Sequence, residues 1–159
     1  SHPDQLPTLV EAVRAGLGRE GAQDIAGELF SYLLNAEPGF RARVVAALRG
    51  GEVPKGDVLA VARGAGIAAA KRTPELLPLA HVIGVHGVEV DLAVTDEGVS
   101  IAATVRAVDR TGVEMEALMA VSVAALAVVD MVKGLDKRVE IAGVRLVAKD
   151  GGRSGAWRR

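Results

Sequence analysis

The chain reads as an α+β protein, with helices packed on one face of a largely antiparallel sheet and an extra helical region ahead of it. Three observations carry that reading. Two segments of apolar alternation sit back to back across a turn, a long and almost uncharged helical stretch follows them, and a third strand-like segment comes after it. At 159 residues the chain is long enough to bury a core without staples. The expected division is an N-terminal helical region over residues 1–53 and an α+β domain over residues 54–159.

The first 53 residues read as three short helices. Leu6, Leu9, Val10, Val13 and Leu17 fall at helical spacing, with Asp4 or Thr8 as cap, and Gly16 and Gly18 interrupt the pattern. Ile25, Leu29 and Leu33, flanked by Phe30 and Leu34, mark a second apolar face that Pro38 and Gly39 end. A third helix is expected from Phe40 to Leu48, stopped by Gly50 and Gly51. None of the three carries residues that suggest chemistry, and packing or subunit contact is their simplest role.

Asp57, after the Pro54–Gly56 turn, is placed to cap a helix from Val58 to about Arg72. Its Ala62, Gly66, Ala69 and Ala70 would let another backbone come close, at the cost in helix propensity that interior glycines carry. Pro74 and Pro78 end it, and His81 follows in an apolar stretch. Val88, Val90, Leu92 and Val94, then Val99, Ile101, Ala103, Val105 and Ala107, alternate on either side of a turn at Asp96–Gly98. They predict a hairpin with one buried face.

From Ala117 to Val129 the only polar side chain is Ser122, which predicts a helix buried on all sides. The run is shorter than the about 20 apolar residues a bilayer-spanning helix needs. Glu114 and Glu116 suit the positive end of its dipole, and Lys133 the negative end. A last strand, Val139 to Val147, contains Gly143 as a bulge or bend. The tail KDGGRSGAWRR is Gly-rich and basic.

Composition narrows the function. Cysteine is absent, which removes disulfides, thiolate metal sites and cysteine nucleophiles. The 19 basic and 20 acidic residues nearly cancel, and aromatics make up 3%, so neither a nucleic-acid surface nor a membrane surface built on bulk charge is expected. No signal-peptide pattern is present, and a cytoplasmic location is the expectation.

The residues that could carry chemistry are Lys55, Lys71, His81, Glu114, Glu116, Asp130, Lys133, Lys149 and Arg153. Asp130 and Lys133 share a helix face. They are an ordinary ion pair or, ending a helix otherwise free of charge, a reactive pair with shifted pKa values. His81 reads as a satisfied core histidine or as a site residue, and the two glutamates as helix caps or ligand contacts. The GGRSG stretch is a loose terminus or a backbone nest with Arg153 beside it. One well-placed histidine and no paired ligands argue against a protein-built zinc site. Several lysines and an arginine facing few carboxylates suit an anionic, phosphorylated substrate.

Three blocks carry a resemblance: KGDVLAVARGAGIAAAKRTPELLPLAH, TGVEMEALMAVSVAALAVVDMVKGLDK and VRLVAKDGGRSGAW. In this order and spacing, over about Pro54 to Trp157, they resemble the cyclic pyranopterin monophosphate synthases, the MoaC family of molybdenum cofactor biosynthesis. The resemblance implies a ferredoxin-like subunit, usually a hexamer of three dimers with active sites at subunit interfaces. It implies a lyase that rearranges the cyclised dihydro-GTP, 3',8-cyclo-7,8-dihydro-GTP, to cyclic pyranopterin monophosphate with release of pyrophosphate.

On this resemblance Asp130 and Lys133 are the catalytic acid and base. Lys55, Lys71 and His81 hold the phosphates, Glu114, Met115 and Glu116 contact substrate, and Arg153 stands where the family's terminal GGKSG has lysine. Where the family usually reads Cys-His-Pro, this chain has Ala80, His81 and Val82. No protein-bound metal and no redox cofactor are implied, with a divalent metal accompanying the triphosphate left open. The partners implied are the GTP-derived nucleotide and further copies of the chain, without nucleic acid or membrane. The second reading is a catalytically altered relative that binds a purine nucleotide or a pathway partner.

Overall fold

The computed structural model describes residues 23–32, 38–107, 112–150 and 155–159, with side chains from residue 42 onward. In chain order the elements are β1 (Gln23–Tyr32), α1 (Pro38–Gly50), α2 (Val58–Lys71), α3 (Thr73–Leu76), β2 (Val85–Thr95), β3 (Gly98–Ala107), α4 (Glu114–Val132), β4 (Glu140–Lys149) and β5 (Trp157–Arg158). The strands form one sheet in the order β2-β3-β1-β4-β5, and every pairing is antiparallel. Helices α2 and α4 pack against each other on one face, α2 over β2 and α4 over β1, β3 and β4. This is the α+β arrangement expected, and β1 to β4 have the ferredoxin-like order.

One expected helix is a strand. The residues around Ile25 and Leu29 form β1, which pairs with β3 on one side (Ile25 opposite Val105, Leu29 opposite Ile101) and with β4 on the other. A spacing of four satisfies both periods, since residues four apart share a face of a strand as they do of a helix. Ladder bonds to two neighbours decide for the strand. The expected third helix is present as α1, whereas the helix read at Leu6–Leu17 lies outside the described residues.

The hairpin is seen as β2 and β3, but β3 is buried on both faces rather than one. Ile101, Ala103 and Val105 join the core under the helices, and Ser100, Ala102 and Thr104 on the opposite side are also buried. Those three are short side chains on a strand flanked by neighbours on both sides. The Ser100 hydroxyl has no hydrogen-bond partner among the described residues.

The small-residue face of α2 does what its composition suggests. A Cβ on Gly66 would lie 2.8 Å from the Ala120 carbonyl oxygen and 3.2 Å from both Ala124 Cβ and Val90 Cγ2, so the two helices meet there backbone to backbone. The Asp57 carboxylate accepts the Ala60 N–H at 3.1 Å and caps the helix. On β4, Val144 pairs with Leu29 and Ala142 with Phe30, leaving Gly143 unpaired as a bulge with φ of 66°.

Helix α4 is buried on its inner side only. Ala117, Ala120, Val121, Ala124, Ala125 and Val128 pack inward, but Met115 and Leu126 are exposed and Met119, Ser122 and Val123 are half-buried. The expectation of burial on all sides is corrected: α2 and the sheet cover one side, and no element among the described residues covers the other. Length and composition alone would let α4 cross a membrane, yet half of it is buried within the fold, as in the core helix of a globular domain.

Candidate functional site

The end of α4 brings three of the charged residues together. Lys133 Nζ donates to Asp130 Oδ1 at 2.7 Å, one helical turn back. Lys55, in the loop between α1 and α2, donates to the Asp130 carbonyl oxygen at 3.0 Å, with its Nζ 3.7 Å from Oδ1. That loop is anchored by the buried Val53 and turned by the bond from Gly56 N–H to the Val53 carbonyl. All three charged side chains are more than half exposed.

The hydrogen bond from Lys133, then the charges of Lys133 and Lys55, hold the Asp130 carboxyl below the ordinary carboxylate range. One carboxylate between two ammonium groups leaves a net positive, solvent-facing edge suited to a phosphorylated ligand. Beside Lys55 opens a cleft of about 410 Å³ walled by Leu48, Val53, Val58 and Leu59, with Arg49 and Asp57 among its lining.

The other end of α4 carries a second group. Lys149, on β4, donates to Glu114 Oε1 at 2.8 Å, and both side chains are largely buried. Glu116 is 3% exposed. Burial pushes its carboxyl above the usual range; its own backbone N–H works against this and the charge of Glu114 adds to it. No basic side chain among the described residues pairs with Glu116. Met115 lies exposed beside these groups. Lys149 was legible as a candidate but not as the partner of Glu114; the signal was a lysine at the end of a strand that lies beside α4.

The two groups are far apart. Glu114 and Asp130 are separated by sixteen residues of helix, about 24 Å at 1.5 Å per residue. Helix α2 runs antiparallel to α4, since Lys55 ahead of it meets Asp130 while Gly66 farther along meets Ala120. Lys71, at the end of α2, therefore lies toward the Glu114 end. His81 follows α3 in an exposed loop between Leu79 and Val82, which are 93% and 86% exposed, so it is not a core histidine. Neither Lys71 nor His81 makes a hydrogen bond or ion pair among the described residues. Arg153 and the GGRS stretch around it lie outside those residues. No group of three or more His, Asp or Glu side chains among the described residues could hold a metal ion.

The sequence model of the MoaC family matches residues 36–152. A cyclic pyranopterin monophosphate synthase of Streptomyces griseus is 63% identical over 117 residues, which is 74% of this chain and 66% of that protein. The synthase of Streptomyces coelicolor is 64% identical over 117 residues, 74% of this chain and 69% of that one. That of Pelobacter propionicus is 50% identical over 127 residues, 78% of this chain and 79% of that one. The matched stretch contains every element from α1 to β4, with Lys55, Asp130 and Lys133 at one end of α4 and Glu114 with Lys149 at the other, and the chain belongs to the MoaC family.

Proposed function

We propose that this chain is a lyase of molybdenum cofactor biosynthesis that converts 3',8-cyclo-7,8-dihydro-GTP to cyclic pyranopterin monophosphate and pyrophosphate. The observation that carries the reading is Asp130 held between Lys133 and Lys55 at the end of the long apolar helix, within a stretch 63% identical to a named synthase. Such identity gives no support to a catalytically altered relative.

The chemistry needs proton transfers during ring opening and pterin closure, and charge neutralisation as pyrophosphate leaves. Asp130, kept ionised by its lysine, accepts a proton, and Lys133 donates one. Lys55, Lys71, His81 and Arg153 face the phosphates, and Glu114, Met115 and Glu116 contact the rest of the substrate. No redox cofactor enters the proposal; a divalent metal, where present, arrives with the triphosphate.

Two features support a site shared between copies of the chain. The two charged groups are too far apart for one nucleotide to touch both, and the stripe Met115, Met119 and Leu126 between them is open to solvent or only half covered. A two-fold pairing over that stripe sets the Glu114 end of one copy against the Asp130 end of its partner. A cytoplasmic homo-oligomer without nucleic acid or membrane fits this reading.

The test is to incubate the protein with the cyclised dihydro-GTP and follow pterin product and pyrophosphate together. Stoichiometric formation of both is expected. Tight binding of the nucleotide without product would replace the reading by a binding role.

A further inference from the structure

Helix α4 ends at Val132, and Lys133 is its capping residue, with helical backbone angles and its N–H on the Val129 carbonyl. The chain then makes a short turn. Lys133, Gly134 and Leu135 are all exposed, so none of them fastens it by packing. The next residue does. Asp136 is buried, its side chain 4% exposed, and its N–H donates to the Val132 carbonyl, which also accepts from Leu135 N–H. Its carboxylate accepts the Arg138 backbone N–H at 2.9 Å and Nε at 3.0 Å through Oδ1, and Nη2 at 3.2 Å through Oδ2.

The last turn of a helix frays because its carbonyls lack intrahelical partners. Here the Val132 carbonyl is satisfied by the turn that Asp136 pins, and the guanidinium of Arg138 fixes that carboxylate as a planar two-oxygen acceptor. Arg43, on α1, adds its field to that of Arg138. An exposed lysine on an unpinned last turn would spread over several positions. This one has to keep Nζ on a single oxygen.

We propose that Asp136 is a positioning residue for the reaction: by pinning the turn after α4 it keeps Lys133 directed at Asp130. The role rests on the proposed synthase activity, but its geometry can be tested apart from turnover. In Asp136→Asn one oxygen remains for the Arg138 N–H while the charge facing the guanidinium is lost; in Asp136→Ala both are lost.

The experiment measures kcat and KM with the cyclised dihydro-GTP, and the carboxyl titration of Asp130 by carbon NMR in the substrate-free protein, for wild type, Asp136→Asn, Asp136→Ala and the core variant Ile101→Val. A fall in kcat of about tenfold in Asp136→Ala, smaller in Asp136→Asn, with KM within about twofold, is expected from a displaced reacting group. The Asp130 titration should move up toward the ordinary carboxylate range in both Asp136 variants and stay put in Ile101→Val. Should Asp136→Ala fail to fold, the nearly isosteric Asn variant decides. A lowered melting temperature with kcat and the Asp130 titration both unchanged would overturn the proposal and leave Asp136 a structural residue. Inactive wild type with the expected titration shift would instead count against the proposed reaction alone.

Discussion

Lys133 Nζ and Asp130 Oδ1 are 2.7 Å apart on one stripe of α4, and both side chains are more than half exposed. Exposed ion pairs add little to stability, because solvent and salt screen them. A pair that contributes so little to the fold can be removed without unfolding it, which separates its chemical role from its structural one. Lys133→Ala and Asp130→Asn should each lower kcat by about 10²–10⁴-fold, the range for loss of a positioned acid or base. Melting temperature and oligomer size should stay at wild-type values. Near-normal turnover in Lys133→Ala would remove this pair from the mechanism.

The same contact sets a pH dependence. Asp130 has its pKa lowered by Lys133 and Lys55, so it remains a carboxylate as pH falls past the usual Asp value. The acid limb of the kcat profile should therefore lie below an ordinary aspartate titration. Removing Lys55 alone, as Lys55→Met, takes away the smaller charge contribution and should move that limb up modestly. A limb unmoved by the substitution would mean that another group titrates there.

Glu116 works in the opposite sense. Burial raises its folded pKa above the ordinary glutamate range, so the folded state binds the proton more tightly than the unfolded chain. Stability contributed by the protonated form is then present at pH below the unfolded value and is lost as pH rises toward the folded value. Glu116→Gln should flatten this decline and raise stability at neutral pH. Urea denaturation between pH 4 and about 7 reads both effects. A variant less stable than wild type at neutral pH would show that the carboxylate has a cationic partner in the assembled protein.

Much of this was legible before the structure, for reasons that can be stated residue by residue. The β2–β3 hairpin came from apolar alternation, α2 from its Asp57 cap and the prolines that end it, α4 from an apolar run of helical length, and the Gly143 bulge from a glycine inside a strand-like segment. Where one spacing fits two periods, as with Ile25 and Leu29, local pattern cannot choose, and the pairing of β1 between β3 and β4 does so from residues far along the chain. Asp130 and Lys133 could be joined from their spacing. Lys55 lies 75 positions before Asp130, and no local rule places its ammonium on that carbonyl. The open side of α4 was hidden too, because a run apolar on every side reads alike whether the cover comes from its own chain or from a neighbour.

The two interior glycines of α2 make a paired test of packing against propensity. A Cβ on Gly66 would push into the Ala120 carbonyl, whereas one on the exposed Gly64 meets nothing within 4 Å. Gly66→Ala should destabilise by about 1–3 kcal/mol through overpacking. Gly64→Ala should stabilise by about 0.5–1 kcal/mol through helix propensity. Equal effects of the two, measured by chemical denaturation, would mean that α2 and α4 do not approach as closely as this.

The contact between Lys149 and Glu114 joins β4 to the start of α4, and it is far less exposed than the pair at the other end. A charged hydrogen bond in such surroundings carries about 1.5–3 kcal/mol. Lys149→Met leaves Glu114 without its cation next to a second carboxyl that has none among the described residues, so the loss should reach the top of that range. Glu114→Gln with Lys149→Met removes the stranded charge and should recover part of it, giving a coupling of about 1 kcal/mol or more in a double-mutant cycle. Additive losses would mean that the two side chains contribute separately. If coupling is found in the free protein and disappears when the cyclised nucleotide is bound, Lys149 has exchanged Glu114 for the ligand, which is the behaviour expected of a lysine stored beside a phosphate site.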